Sequence, residues 1–218
     1  MKTGSSSTNH DKDKYRLREC TGGKDYSAVI SSVDAWWGGR RVSPMLPRLF
    51  FENFCDTTFM AVRDEADGKE VIVGFLCGFV SQSRAGEAHA HFIGIDPAHR
   101  GAGLGAALYD RFFQAATARD VSVVHAVTSP TNTASVAFHK ALGFNTLRVA
   151  SSGGGGDEGA GAENTTCKTD MGGDGVAPEN DLAHRLQAES APSLDREFVH
   201  ADYDGPDGGD RVLLEKRL

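Results

Sequence analysis

The stretch from His99 to Leu108, "HRGAGLGAAL", places three glycines within five residues. It follows an apolar segment with strand character, "EAHAHFIGI", and precedes an apolar pattern with helical spacing, "LGAALYDRFFQAATARD". Glycines let backbone N–H groups converge without obstruction by Cβ atoms, and the start of a helix adds positive potential. A strand, a glycine loop and a helix in this order are typical of an α/β chain with an anion-binding loop.

The rest of residues 15–150 also alternates between strand and helix signals. "DYSAVISSVDAWW" and "PMLPRLFFENF" predict two helices, and Asp67–Gly68 predicts the turn of a hairpin spanning "TTFMAVRDEADGKEVIVGFLCGFVSQ". "NTASVAFHKALGF" predicts a helix that ends at Gly143. The predicted strands are "YRLREC", "EAHAHFIGI", "VSVVHAVTS", "NTLRVA", "REFVHADYDG" and "DRVLLEKRL".

Acidity and glycine concentrate in one segment. Residues 151–197 hold ten Asp and Glu against three Lys and Arg, whereas the remainder balances at twenty against twenty. Such a segment buries too little apolar surface to offset the entropy of ordering it. We therefore predict a disordered tail over 1–13 and a single domain formed by 14–150 with 198–218. The acidic insertion at 151–197 is predicted to be disordered, with a weak helix around "ENDLAHRLQAE".

The composition argues against several classes of protein. No basic stripe indicates nucleic-acid binding, and the longest apolar run, "VIVGFLCGFV", is too short to cross a bilayer. The polar N-terminus has no apolar signal region. The four cysteines are scattered without a C-x-x-C pair, which argues against a zinc site or a disulfide framework. We expect no bound metal and a cytoplasmic location. If the source is eukaryotic, a nuclear location is the alternative.

Two common phosphate motifs fit the glycine loop poorly. Gly101, Gly103 and Ala106 satisfy the dinucleotide fingerprint G-x-G-x-x-G/A, but five residues separate the strand from the glycines. The fingerprint also requires an acidic residue about 20 positions further on, at the end of the second strand, whereas Asp120 precedes that strand. A Walker loop fails because no Gly-Lys-Ser/Thr follows. The pattern R-x-x-G-x-G, formed by Arg100, Gly103 and Gly105, includes the arginine as well as the glycines of the loop. It predicts a pyrophosphate site.

With that motif the chain resembles the GNAT superfamily of acyl-CoA-dependent N-acetyltransferases. The family's Q/R-x-x-G-x-G/A motif corresponds to Arg100–Gly105, its approach strand to "IGIDPAHRG", and its later helix to "NTASVAFHKALGF". The resemblance covers about 15–150 and extends to 198–218. It implies a GNAT fold of the α/β (α+β) type, in which helices flank a mixed, twisted sheet that splays in the middle.

The resemblance also implies a site for acetyl-CoA, the expected cosubstrate, in the split of the sheet. Backbone groups from the strand would pair with the pantetheine arm, and loop amides would hold the pyrophosphate, while Asn132 and Ser135 would face the pantetheine. N-capping of the later helix is the plainer role for Asn132. The candidate CoA-binding residues are Phe92, Ile93, Ile95, Arg100, Gly101, Ala102, Gly103, Leu104, Gly105, Ala106, Asn132 and Ser135.

The reaction needs a neutral amine, so a base or a water path must remove its proton. His91 is the candidate base and His89 its neighbour, because side chains two apart on a strand share one face. Arylalkylamine N-acetyltransferases carry a similar His-x-His pair. His139 stands where many family members have a tyrosine near the CoA sulfur, four residues before the Gly-Phe pair, and phosphinothricin-type acetyltransferases look similar there. It is the candidate acid, with contact to CoA as the alternative.

The acceptor is less constrained. Trp36, Trp37 and Arg40 fall in the region that forms the substrate-side wall in this family, and Tyr203 is a fallback donor. Core packing is the alternative role for a tryptophan. The sequence favours a small-molecule amine as acceptor, without a nucleic-acid or membrane partner. It is compatible with a homodimer. The alternatives are a protein or peptide acetyltransferase and a CoA-binding module without turnover.

Overall fold

The computed structural model describes residues 15–149, 198–204 and 209–218. The predicted tail at 1–13 and the insertion at 151–197 with its weak helix lie outside these residues. Residues up to Thr146 and from Val212 onward contribute to the same sheet, since Asn145 pairs with Glu215 and Thr146 with Leu214. The insertion thus connects two neighbouring strands. The division into tail, domain and insertion stays a prediction.

Seven strands and five α-helices make up the described fold. The strands are β1 (Arg16–Glu19), β2 (Thr58–Asp64), β3 (Glu70–Val80), β4 (Glu87–Ile95), β5 (Val123–Thr128), β6 (Asn145–Thr146) and β7 (Val212–Arg217). The helices are α1 (Gly23–Ile30), α2 (Val33–Trp36), α3 (Leu49–Asn53), α4 (Leu104–Thr117) and α5 (Thr133–Ala141). The predicted α/β class with a mixed sheet is confirmed.

The strand order is β1-β2-β3-β4-β5-β7-β6, and the pairing of β4 with β5 is parallel while every other pairing is antiparallel. Within the described residues, the parallel pairing runs from Glu87 with Val123 to Ala90 with Ala126 and stops there. Beyond Ala90, β4 continues to Ile95 while β5 continues alongside β7. The sheet therefore opens into a wedge at its centre, as the resemblance implies.

Two apolar layers cover the two faces of the sheet. On one face, α4 buries Leu104, Leu108, Tyr109 and Phe112 against the inner residues of β2 to β5 and β7. On the other face, the residues of α1 to α3 pack around Val29, Phe51 and Phe75. A β-bulge in β4 inserts His91 between the pairs Cys77–Phe92 and Gly78–Ala90. The bulge turns two consecutive side chains, His91 and Phe92, toward the α1–α3 layer.

Four predicted elements differ from the structure. The helix predicted over "PMLPRLFFENF" is shortened to α3 (Leu49–Asn53), with a separate 3₁₀ turn at Ser43–Met45 before it. The helix predicted over "DYSAVISSVDAWW" breaks at Ser31–Ser32 into α1 and α2. The strand "NTLRVA" is reduced to Asn145–Thr146. The strand "REFVHADYDG" is wrong for its described part, because residues 201–204 form a turn with Asp202 at a φ of 48°, and only His200 forms a bridge, to Arg211. No helix in the described ranges is long and apolar enough to cross a membrane.

Candidate functional site

The glycine loop links β4 to α4 next to the wedge. Asp96 begins a short 3₁₀ turn, where its carboxylate accepts a hydrogen bond from the Ala98 amide at 2.9 Å. Gly101 and Gly103 follow with φ values of 81° and 78°. A Cβ built on either glycine meets none of the described atoms within 4 Å. The loop is therefore open on the side to which its glycines turn.

The first turn of α4 supplies donors to this loop. Gly103 precedes the helix, and the amides of Leu104, Gly105 and Ala106 have no intrahelical acceptor by the geometry of a helix start. Fourteen helical residues align their peptide dipoles behind these amides. Ala102 is exposed beside them. This arrangement suits a phosphate or pyrophosphate.

Two motif residues have roles that the sequence did not indicate. The Arg100 guanidinium donates to the carbonyl oxygens of Ile95 at 3.1 Å and Trp36 at 2.9 Å, so it ties α2 to the end of β4. A Cβ on Gly105 would lie 2.9 Å from the Phe138 ring. Gly105 thus permits close packing of α4 on α5, and the phosphate contact predicted for its amide is independent of that packing.

The predicted pantetheine strand borders the wedge. Phe92 turns to the α1–α3 layer, where it stacks on Phe75 with ring centroids 5.9 Å apart. Ile93 and Ile95 pack on the opposite layer beside α4. Because β5 has diverged from this part of β4, one backbone edge of the strand faces the wedge. An extended ligand arm can pair with such an edge as an added strand would.

His91 lies at the wedge with its ring orientation fixed on two sides. Its Nε2 is 2.9 Å from the Met45 carbonyl oxygen, and its ring stacks on Phe50 at 4.2 Å. A carbonyl only accepts, so Nε2 carries the proton and Nδ1 of the neutral ring keeps a free lone pair. Burial lowers the pKa of His91 from its usual 6.5, although the bond to Met45 opposes this. The ring is therefore neutral at pH 7, as a base must be.

His89 shares this face, as strand periodicity predicts, and stacks on Phe79. Burial lowers its pKa to about 4, with smaller contributions from His91 and His125. His125 is its cross-strand partner on β5, and its Nε2 lies 3.0 Å from the Glu87 carboxylate. Sequence reasoning missed His125 and Glu87. The signal available was the alternation of β5, which places His125 on the face opposite the buried Val124 and Ala126.

His139 is buried between α4 and α5. Its Nδ1 lies 2.7 Å from the Ser135 carbonyl oxygen and its Nε2 lies 2.7 Å from the Tyr109 hydroxyl. Nδ1 donates to the carbonyl, so Nε2 accepts from Tyr109. Burial lowers the pKa of His139 below its usual value. The arrangement favours a packing role, and proton donation would require breaking one of these bonds.

We expect His139→Leu to destabilise the fold by about 1–3 kcal/mol, because the buried Tyr109 hydroxyl loses its acceptor. Adding Tyr109→Phe removes the hydroxyl that has lost its acceptor, and should recover part of the lost stability. Denaturant unfolding of the two single variants and the double variant measures this coupling. Additive effects would contradict the pairing, and a large loss of kcat at unchanged stability would restore the acid role.

Asn132 caps α5, since its side-chain oxygen accepts from the Ser135 amide at 3.2 Å. The Ser135 hydroxyl lies 3.3 Å from Nδ1 of His139. Both residues thus have structural partners within the start of α5. Their predicted contact with pantetheine stays a prediction.

The four candidate acceptor residues do not form one cluster. Trp36 is 8% exposed and packs on Phe75, which is the core role. Trp37 lies over β4, with its ring 5.3 Å from that of Phe92. Arg40 is exposed just after Gly38 and Gly39. Tyr203 is 49% exposed in the turn that leads toward β7. Trp37 borders the strand that carries His91, and the acceptor roles stay predictions.

Comparison with known proteins identifies the family of this chain. The acetyltransferase (GNAT) family matches residues 28–144, more than half of the chain. The L-2,4-diaminobutyric acid acetyltransferase of Shouchella clausii (strain KSM-K16) is 33% identical over 91 residues, which are 42% of this chain and 48% of that protein. The chain thus matches about half the length of this curated relative.

Solved structures agree on the fold. Ard1 from Thermoplasma volcanium superimposes with a TM-score of 0.56 at 16% identity, covering 94% of this chain and 98% of that one. The NatC complex bound to Gag peptide and CoA gives a TM-score of 0.57 at 10% identity, covering 94% and 99%. At these identities the likeness concerns the fold. Together with the family match over 28–144, it shows that the chain belongs to the GNAT acetyltransferase family.

Proposed function

We propose that this protein is an N-acetyltransferase that moves an acetyl group from acetyl-CoA to an amine of a small molecule. One observation carries the proposal: β4 parts from β5 after Ala90, and its free part runs on to Ile95, which leads into the glycine loop and the open N-terminus of α4. The free edge of β4 and the anion site at the glycine loop therefore follow one another along the chain. Family membership and the curated relative's name support acyl transfer to an amine.

The described residues fit acetyl-CoA in two places. The amides of Leu104 to Ala106 and the open backbone at Gly101 and Gly103 would hold the pyrophosphate. The free edge of β4 from Phe92 to Ile95 would pair with the pantetheine arm, which places the thioester near the bulge. Arg100 would stabilise the end of β4 through its hydrogen bonds to the carbonyl oxygens of Ile95 and Trp36.

His91 is the residue best placed to prepare the amine. An alkylamine with a pKa near that of lysine is only about one part in a thousand neutral at pH 7.4. Nδ1 of His91 would take the ammonium proton, while the Met45 carbonyl holds the ring through Nε2. The neutral amine would then attack the thioester carbonyl directly, the C–S bond would break, and the proton lost by the amide nitrogen would neutralise the departing thiolate. The leaving thiolate resembles that of a free cysteine, with a pKa near 8.5, so it can depart without a strong acid.

Chemistry around His91 supports a compact acceptor with an apolar portion. The rings of Trp37 and Phe92 line one side of β4, and Phe50 covers His91. Met45 and Leu49 present exposed apolar side chains at the edge of this layer. The curated relative acts, by its name, on a diamino acid, and diamino acids are therefore the first acceptors to test.

The test is an acetylation screen read by mass spectrometry. We expect one pooled amine to gain the mass of an acetyl group when incubated with the protein and acetyl-CoA. The pool contains diamino acids, arylalkylamines, polyamines and short peptides, and boiled protein is the control. Product on peptides alone would favour the peptide acetyltransferase, and CoA binding without any product would favour a binding module.

A further inference from the structure

Two thiols that are far apart in sequence meet at one backbone oxygen. The Cys55 thiol donates to the Phe51 carbonyl at 2.9 Å, and the Cys20 sulfur lies 3.6 Å from the same oxygen. The scattered cysteines of the sequence therefore include one dithiol pair in the fold, which the absence of a C-x-x-C motif had hidden.

The pair closes the ends of a defined part of the structure. Cys20 follows β1 and is held by its amide to the Thr58 carbonyl at 2.8 Å. Cys55 begins the short 3₁₀ turn that leads from α3 into β2. The chain between them contains α1, α2 and α3, which form the layer over β4. That layer includes the Met45 carbonyl and the Phe50 ring that hold His91.

We propose that Cys20 and Cys55 form a dithiol site that a peroxide converts to an intramolecular disulfide, which fastens the α1–α3 layer to the sheet. Both sulfurs already lie within 3.6 Å of the Phe51 carbonyl oxygen, so the bond would join two thiols that share one neighbour. Such a bond constrains the chain between its ends.

The two sulfurs have different roles in this reaction. Cys55 is half-buried, whereas Cys20 is 7% exposed. Burial raises the pKa of the Cys20 thiol to about 12, which leaves Cys55 as the first target of an oxidant. Peroxide oxidises the Cys55 sulfur to a sulfenic acid, with cleavage of the O–O bond and release of water. The Cys20 sulfur then attacks that of Cys55, the S–O bond breaks, and a second water leaves with the Cys20 proton.

The test maps the crosslink in a Cys167→Ser background, which removes the cysteine of the acidic segment. After hydrogen peroxide treatment and alkylation, we expect tryptic peptides 19–24 and 49–63 to appear joined, with the loss of two hydrogens. Dithiothreitol should separate them. The Cys55→Ser variant should yield no crosslink, whereas Cys77→Ala should retain it, because Cys77 is fully buried in β3.

Several outcomes would overturn the proposal. Cys55 that stops at a sulfinic acid, Cys77 joined in place of Cys20, or both thiols remaining free while added glutathione is oxidised would each do so. None of these readouts depends on acyl transfer, so the proposed function and this site fail separately. If the function holds, oxidation should lower the acetylation rate roughly tenfold by displacing Phe50 from His91, reversibly with dithiothreitol. An unchanged rate in crosslinked protein would exclude an effect on the site.

Discussion

His91→Gln should lower kcat by roughly 10²–10⁴-fold while the KM for acetyl-CoA changes little, because the variant lacks a base but keeps a donor. A glutamine amide can still donate to the Met45 carbonyl that His91 contacts at 2.9 Å. The loop between α2 and α3 should therefore keep its position. Steady-state kinetics with the best acceptor from the screen measures the effect, with the thermal midpoint as the control for folding.

The pH profile separates base catalysis from a structural role. In the wild type, kcat should fall as the pH decreases through the pKa of His91, which burial places below 6.5. His91→Gln should lose this acid limb. His89→Gln should keep it, since a group with a pKa of about 4 does not titrate near neutrality. If the fall of kcat at low pH persisted unchanged in His91→Gln, the base would be another residue.

The elements that sequence predicted well are those set by local patterns. β4 matches "EAHAHFIGI" residue for residue, and α4 starts where the glycine loop ends. Alternation in strands and apolar spacing in helices are short-range signals, so they need no knowledge of the partner. The turn at Gly68 likewise needs only a residue that tolerates positive φ.

The contacts that define the site escaped prediction because they join distant segments through backbone groups. The carbonyls of Met45, Trp36 and Phe51 accept from His91, Arg100 and Cys55, and any residue has a carbonyl. Sequence spacing does not indicate which one a side chain will reach. The same holds for His139, whose motif position suggested chemistry, whereas Tyr109 on the facing helix gives it a buried partner.

Gly103→Val should abolish detectable CoA binding, with a loss of at least about 100-fold in affinity. A side chain at this position would project into the open space of the loop, where a Cβ meets no described atom within 4 Å. A β-branched residue also resists a φ of 78°, so the loop would lose the conformation that brings its amides together. Isothermal titration with CoA measures the affinity without requiring any acceptor.

The hairpin turn between β2 and β3 offers a matched control, Gly68→Val. Gly68 also has a φ of 78°, and a Cβ there also meets no described atom within 4 Å. Both variants should therefore lose a similar amount of stability, on the order of 1–3 kcal/mol from backbone strain. Only Gly103→Val should lose CoA. Equal affinities in the two variants would show that the glycine loop is a structural turn, and the wedge beside it would then need another ligand.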